Sequence, residues 1–313
     1  AAVENQRDVL ITLLAEVARN YIEVRGSQRR LEIVRKNIKV QQETVEITRA
    51  RYKAGLSSEL DAVQAEALLA TTQSQIPLLE NSMKQAIHRI GMLLGQEPGN
   101  LLGELSKEAP IPHAPPVVPV GLPSDLLRRR PDVRRAEREM AAATARIGVA
   151  TADLFPKFSL TGDFGLQTEN LNAFSLTHSR FWSIGPTVRW PIFEAGRIRA
   201  NIKVQNARQE QSFLSYEKAV LASLEDVENA IVAYNTEYVR HQNLSEAVNA
   251  NQRAVDLASE LFTGGLVNFL NVLDAERSLY RSEDELVQSE RTVSLNLVIL
   301  YKALGGGWET EPS

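Results

Sequence analysis

The chain contains an internal repeat at an offset of 210 residues, and this repeat constrains the fold more than any other feature of the sequence. The segment RYKAGLSSELDAVQAE at 51–66 aligns without a gap with LFTGGLVNFLNVLDAE at 261–276. This register pairs Gly55 with Gly265. We therefore expect two related structural units joined in one chain.

Apolar residues recur every seven positions on both sides of the matched segments, with charged residues between them. In the first copy they are Leu10, Val17, Val24, Leu31, Ile38, Val45 and Tyr52, then Ala62, Leu69, Ile76, Met83 and Ile90. A sustained period of seven predicts helices that pack along coiled-coil-like seams. Each copy is therefore predicted to be two long helices joined by a tight turn in which a glycine adopts a positive φ. An ordinary cytosolic coiled coil also fits this pattern.

The composition excludes several classes of function. The 313 residues include no Cys, which excludes disulfides, thiol nucleophiles and cysteine metal sites. With 35 Lys+Arg against 39 Asp+Glu, the chain lacks the excess of positive charge expected of a nucleic-acid-binding protein. The 4 His residues are scattered without metal-ligand spacing, and no phosphate-binding loop is present. We expect neither enzyme activity nor a cofactor or metal ion.

Residues 157–192 break the helical pattern. In KFSLTGDFGLQ and FWSIGPTVRW, apolar and polar residues alternate with a period of two. Two strands of about 10 residues, each with one apolar and one polar face, fit a transmembrane β-barrel. Trp182 and Trp190 would then lie at the membrane interfaces, and Asp163 and Arg189 would face the lumen. The alternative is a soluble hairpin that packs on a core.

A single hairpin cannot close a barrel, and an open sheet edge is not tolerated in lipid. The membrane interpretation therefore requires an oligomer. Ala1 aligns with Gln211, well inside a long helix of the second copy. This alignment predicts a parent protein with roughly 90 more residues at its N-terminus, where a signal peptide or a lipidated Cys would lie. It also leaves open a soluble form of the truncated chain.

The predicted organisation follows from the repeat, from the strand pair and from a stretch rich in Pro and Gly where no helix can continue. Its parts are a first helical hairpin at 1–95, an equatorial connector at 96–122, ascending helices at 123–156, the β-hairpin at 157–192, a second helical hairpin at 193–305 and a tail at 306–313.

This order of elements resembles the outer-membrane efflux proteins, the TolC-like outer-membrane factors, and in particular the subgroup that serves resistance-nodulation-division pumps. The most specific stretches are LLRRRPDVRRAE at 126–137, LFPKFSLTGDFG at 154–165, WPIFEAGRIRANI at 190–202 and GGLVNFLNVLDAERSLY at 264–280. The resemblance implies a mainly α-helical fold with two repeats of long antiparallel hairpins, which build an α-barrel tunnel. Its transmembrane β-hairpin would contribute to an oligomeric β-barrel.

The same resemblance implies a homotrimeric lipoprotein in the bacterial outer membrane, in contact with lipid, with a periplasmic extension. It would be the passive exit duct of a tripartite efflux system for drugs or other small molecules. Its partners would be a periplasmic adaptor protein and an inner-membrane resistance-nodulation-division transporter. A soluble structural coiled-coil scaffold, a type I secretion duct and a metal-ion efflux duct are the alternatives, and the sequence does not identify substrates or the cognate pump.

The resemblance also implies roles for the turns between the paired helices, which we call the hairpin tips. The adaptor would contact Arg51, Gly55 and Leu56 on the first tip, and Gly265 and Leu266 on the second. The alternative is that each glycine serves the turn alone. An exposed Leu on a turn is explained less well by backbone geometry.

Leu270 and Asp274 fall where relatives of this subgroup place an apolar ring and a carboxylate ring at the periplasmic aperture. They are four residues apart and therefore lie on one face of a helix. Asp61 would add a second acidic ring, although its counterpart in the second copy is Asn271. The alternatives are that Asp61 caps its helix and that Asp274 is a solvated surface residue.

Overall fold

A computed structural model describes residues 1–115, 129–166 and 180–306 of the chain. Its elements are α1 (Ala2–Lys53), α2 (Glu59–Gln73), α3 (Gln75–Leu93), α4 (Leu102–Leu105), α5 (Pro131–Ala152), β1 (Lys157–Leu166), β2 (Arg180–Arg189), α6 (Arg197–Thr263) and α7 (Phe269–Ala303). The predicted connector beyond residue 115 and the predicted tail after its first residue lie outside the described residues. The mainly α-helical fold class is confirmed.

The helices are far longer than those of ordinary globular proteins. With 67 residues, α6 is about 100 Å long at 1.5 Å per residue. Within the described ranges, none of the helices combines the length and the apolar character needed to cross a bilayer. Most of the stability of such helices comes from packing along the predicted seams.

The first repeat differs from the second in one respect that the heptad pattern does not indicate. The second repeat returns from its tip as the single helix α7, whereas the first returns as α2 and α3, which separate at Ser74. Pro77 lies in the first turn of α3, and its ring excludes a continuous helix because it would clash with the carbonyl of Gln73. At the matching position, α7 has the buried Val287.

The chain divides into two compact units. One comprises Ala1–Ala2 and Asp132–Leu221, which includes the strand pair. The other comprises Val3–Pro131 and the chain from Ala222 onward, which includes both hairpin tips.

In the unit that contains the tips, the predicted seams are buried where helices pack. Val24, Leu31 and Val45 of α1 are buried, while Leu10 and Tyr52, at the two ends of the same series, are exposed. The counterpart seam of α6 is buried at Val227, Tyr234, Val255 and Phe262. Near the tips, one cluster joins both repeats through Val45, Ala65, Phe262, Phe269, Val272 and Leu273.

Arg130, which directly precedes α5, forms hydrogen bonds with both helices of the second repeat. It is buried, and its guanidinium donates to Asp226 Oδ2 at 2.9 Å and to the carbonyl of Ala303 at 3.2 Å. The sequence favours a solvated or carboxylate-paired arginine cluster here. For Arg130 the structure confirms the paired form; Arg128 lies outside the described residues.

In the other unit, β1 and β2 form an antiparallel pair in the register Lys157 to Arg189 through Leu166 to Arg180. Directly opposite residues share a face of the sheet, so Phe158, Leu160 and Phe164 lie on the same face as their partners across the strands. Six large apolar side chains of this face are exposed, by 59% to 78%: Phe158, Leu160, Phe164, Trp182, Ile184 and Val188. The predicted period of two is thus confirmed, and among the described residues of this unit no core covers the apolar face.

Candidate functional site

The two hairpin tips have the same backbone geometry. Gly55 and Gly265 both have a φ of 72°. At the first tip the N–H of Leu56 donates to the carbonyl of Arg51 at 2.8 Å, and at the second the N–H of Leu266 donates to Leu261 at 2.8 Å. These bonds define a Schellman helix end, in which the residue after the last helical turn must be left-handed. The predicted role of the glycines in the turn is therefore confirmed.

Leu56 and Leu266 occupy the position of this motif that usually packs back onto the last helical turn. Here they are 68% and 75% exposed, so this packing is largely missing. An exposed leucine at the same place in both repeats is available to an apolar surface of another molecule. Contact with an adaptor stays a prediction for these residues.

The helices that leave the two tips begin differently. At the first tip Ser58 and Asp61 form a capping box, in which Asp61 Oδ2 accepts the N–H of Ser58 at 3.3 Å and Ser58 Oγ accepts the N–H of Leu60 at 3.0 Å. At the second tip the N-cap residue Asn268 makes no such side-chain bond. Asp61 thus has the capping role that its sequence position allowed, and its place in an acidic ring stays a prediction.

Leu270 and Asp274 lie on the exposed face of α7, as their spacing predicts. Leu270 is half exposed, and Asp274 Oδ1 lies 3.8 Å from Arg277 Nη1 in a surface ion pair. The opposite face of the same helical turns is buried through Phe269 and Leu273. Leu270 and Asp274 are therefore presented outward from the tip cluster.

Arg51 does not extend freely from the first tip. Its guanidinium carbon lies 4.5 Å from the centroid of the Phe262 ring, in a cation–π contact that joins the first repeat to the second. The resemblance implies only an adaptor contact for Arg51. The structure gives it a contact inside the chain as well.

A line of polar contacts joins α1 to α7 and was missed in the sequence analysis. The contacts are Glu23 with Arg291 at 3.0 Å, Arg30 with Asp284 at 2.6 Å, Asn37 with Glu283 at 2.9 Å and Thr44 with Glu276 at 2.8 Å. On α1 these residues recur every seven positions, and the series continues to Arg51. Each one directly precedes a seam position, and this spacing is the signal that could have revealed them.

Glu276 is the most buried carboxylate of this line near the tips. Its side chain accepts from Thr44 Oγ1, and its second oxygen, Oε2, is buried without a hydrogen-bond partner. Burial raises the pKa of the Glu276 carboxyl, and the hydrogen bond from Thr44 opposes that shift in part. This environment shifts the protonation equilibrium of Glu276 toward the neutral acid relative to an exposed glutamate.

The strand pair separates two residues that were predicted to face the lumen. Asp163 pairs with Ser183 and Arg189 pairs with Lys157, so both lie on the polar face. Six residues of strand separate the two levels, a distance of roughly 20 Å. Asp163 accepts a hydrogen bond from Ser183 Oγ at 3.4 Å, and the structure does not bring it together with Arg189.

The two tryptophans predicted for the membrane interfaces lie near opposite ends of β2. Trp182 is opposite Phe164, whereas Trp190 follows the last residue of the strand. Trp190 Nε1 donates to the carbonyl of Leu154 at 3.0 Å, which fixes one edge of its ring while the rest stays half exposed. An aromatic ring with one polar attachment suits the boundary between lipid and water.

Within the described ranges, no three His, Asp or Glu side chains come together in a way that could hold a metal ion. The chemistry of the tips is that of paired and exposed carboxylates, arginines and apolar side chains. The arrangement is suited to contact and to shaping an opening.

Comparison with known proteins defines the class as that of outer-membrane channels. The family model described as outer membrane efflux protein matches residues 1–96 and 122–306. The solved structure of the outer-membrane channel OprN is similar with a TM-score of 0.88 and 37% identity, over 98% of this chain and 69% of that one. The chain belongs to the outer membrane efflux protein family.

Two curated relatives are similar along nearly the whole chain. The solvent efflux pump outer membrane protein SrpC of Pseudomonas putida is 35% identical over 309 residues, which are 98% of this chain and 65% of that protein. Nodulation protein T of Rhizobium leguminosarum bv. trifolii is 33% identical over 302 residues, which are 95% of this chain and 64% of that protein. The chain therefore spans slightly less than two thirds of the length of these relatives.

Proposed function

We propose that this chain is part of the outer-membrane exit duct of a tripartite efflux system. The observation that carries the proposal is the strand pair, in which six large apolar side chains lie exposed on one face, while the other face is polar or glycine except for Phe181. Such a pair suits a barrel wall with lipid outside and water inside. The named efflux-pump relatives support the same assignment.

In this proposal several copies of the protein assemble in the bacterial outer membrane, because one strand pair leaves open edges that lipid does not tolerate, and the family resemblance implies that there are three. The long helical hairpins extend into the periplasm as a tunnel. Trp182 and Trp190 lie at the two lipid boundaries, and Asp163 and Arg189 face the water-filled lumen. The duct makes and breaks no bonds, so the energy for transport comes from its inner-membrane partner.

The hairpin tips form the periplasmic end of the duct. Leu270 from three copies forms an apolar ring, and Asp274 forms a carboxylate ring beside it. Close carboxylates repel one another unless they are solvated, cation-bound or protonated, so this ring favours cations over anions at a narrow opening. Asp61 caps its helix and adds negative charge near the same end.

The outer surface of the tips contacts a periplasmic adaptor, which joins the duct to a resistance-nodulation-division transporter. Leu56 and Leu266 supply the apolar contacts, since both are exposed at the same position of the turn. Gly55 and Gly265 set the turn, and Arg51 supports the first tip through Phe262.

Two matched substitutions in β1 test the membrane assignment. Leu160→Lys places a charge on the apolar face near the middle of the strand, where a lysine facing lipid costs about 2–4 kcal/mol. Thr161→Lys places the same charge on the opposite face of the same strand. We expect the first variant to lose trimers from the outer-membrane fraction, measured by chemical crosslinking, and the second to keep them. Equal recovery of both variants would contradict the proposal.

A further inference from the structure

Glu276 lies where the two repeats contact each other, directly behind the exposed face that carries Leu270 and Asp274. The buried face of α7 runs through Phe269, Val272, Leu273, Glu276 and Leu279, so an acid interrupts an otherwise apolar stripe. The Glu276 side chain is 6% exposed and contacts Thr44 of α1. Any separation of α7 from α1 at this level would have to break that contact and hydrate the carboxyl.

Two buried oxygens on the helices that form this contact lack hydrogen-bond donors. One is Glu276 Oε2, and the other is Oε1 of Gln41, a residue that is 3% exposed. Gln41 lies on α1 between Asn37, which binds Glu283, and Thr44, which binds Glu276. A buried acceptor without a donor is costly, and a carboxylate has only acceptors to offer. A proton on Glu276 converts one of these acceptors into a donor.

No buried cation neutralises Glu276 among the described residues. Four helices pack together near Glu276, and the charged side chains at the level of Glu276 are all exposed or only partly buried. They are Glu43 and Glu46 of α1, Glu66 of α2, Arg253 and Asp256 of α6, and Asp274 and Arg277 of α7. Glu66 binds Arg49 at 2.7 Å, and Arg277 lies beside Asp274. Lys36 of α1 forms its ion pair with Glu283 of α7 and not with Glu276.

We propose that packing of α7 against α1 strengthens proton binding by Glu276, which makes this contact a proton-sensitive latch between the two repeats. The latch follows from the packing of the chain alone. Its consequence for transport rests on the proposed function, because α7 also carries the aperture residues. Opening that moves α7 away from α1 would release the proton to water.

The direction of the pH effect follows from the burial. The pKa of Glu276 is raised above its ordinary value of 4.5 in the packed state, and it returns toward that value when the carboxyl is hydrated. The stability that the neutral form gives to the contact is therefore full below pH 4.5 and is lost as the pH rises through the raised pKa. The contact between α7 and α1 is therefore most stable in acid and becomes less stable toward neutral and alkaline pH.

The repeat supplies a matched control. Glu66 occupies the position in the first copy that corresponds to Glu276, but it is only partly buried and binds Arg49. Glu276→Gln keeps the size of the side chain and fixes it in a neutral form. Glu66→Gln makes the same change outside the contact.

The test uses the purified protein labelled with ¹³C at its glutamate carboxyl carbons. We expect one resonance to be absent from Glu276→Gln and to titrate in the unsubstituted protein with a midpoint above 4.5; a midpoint at or below 4.5 would overturn the proposal. Hydrogen exchange of the α7 amides, divided by their intrinsic rates, should become several-fold faster between pH 5 and 8. This change should disappear in Glu276→Gln and persist in Glu66→Gln.

Exchange rates that change equally with pH in both variants would also overturn the latch. Neither measurement requires a channel, so a protein that fails to conduct would contradict the proposed function and leave the latch intact. The converse also holds, since a gated duct without a titrating Glu276 would leave the proposed function intact.

Discussion

Gly55 and Gly265 set the turns of the two hairpin tips, and Arg51 of the first tip contacts Phe262 of the second. A glycine after a helical heptad series predicts a left-handed turn, and Gly55 and Gly265 both adopt one. By contrast, the contact of Arg51 with Phe262 joins residues 211 positions apart, and no local pattern encodes it. Turn chemistry is local and can therefore be predicted, whereas the partner of a long side chain depends on tertiary packing.

Two adjacent glycines allow a controlled test of the second tip. Gly265→Ala should lower the free energy of unfolding by about 1–2 kcal/mol, because alanine is strained at a φ of 72°. At Gly264 a methyl group would meet only ordinary contacts, at 3.6 Å from the carbonyls of Glu260 and Leu261. Gly264→Ala should therefore be neutral or stabilising in the same urea titration, and equal losses at both positions would contradict this account of the turn.

The exposed tip leucines should matter for binding but not for folding. Leu266→Ser removes an apolar side chain that is 75% exposed, so the unfolding midpoint should stay unchanged within error. Adaptor binding, measured by biolayer interferometry, should weaken at least tenfold if this leucine is an anchor. Val239→Ser, at an exposed apolar residue of α6 about 36 Å from the helix end at the tip, serves as the control and should bind normally.

At the scale of elements, the seams and the strand pair could be predicted because each has a periodicity. The break at Ser74 could be anticipated from Pro77, but the heptad series passes over it without interruption. The pairing of α1 with α7 could not be predicted, because heptads show which face of a helix packs and do not identify its partner. The polar contacts of Arg30 and Thr44 recur with the same period of seven, because each of these residues directly precedes a seam position on α1.

The ion pair of this line should stabilise the contact between the repeats measurably. Arg30 Nε and Nη2 donate to the two oxygens of Asp284 at 2.6 Å and 3.1 Å, and both side chains are mostly buried. A double-mutant cycle with Arg30→Ala and Asp284→Ala should give a coupling energy of about 1 kcal/mol or more.

The exposed pair of Arg29 and Glu32 is the internal comparison for that cycle. Both of its side chains are exposed, so its coupling energy should be no more than about 0.5 kcal/mol. Equal coupling energies for the two pairs would mean that the contact between α1 and α7 adds nothing beyond ordinary surface electrostatics.

At the scale of the whole molecule, the repeat gives each chain two helical hairpins, which in the proposed function form part of the tunnel wall. Each copy supplies a helical hairpin with a tip of the same geometry, and the strand pair supplies an exposed apolar face that the proposed function assigns to lipid. Among the described residues none of these parts closes on itself, which is why the proposed function requires further copies.

The central claim is that the tips of α7 close the duct, and single-channel conductance of the full-length protein in planar bilayers tests it most directly. A matched control replaces Val232 and Glu228, an exposed apolar and carboxylate pair with the same spacing on α6, about 45 Å from the helix end at the tip. The account predicts low conductance for the unsubstituted and control proteins and a several-fold increase for the Leu270→Ala, Asp274→Ala variant. Unchanged conductance of that variant would contradict it.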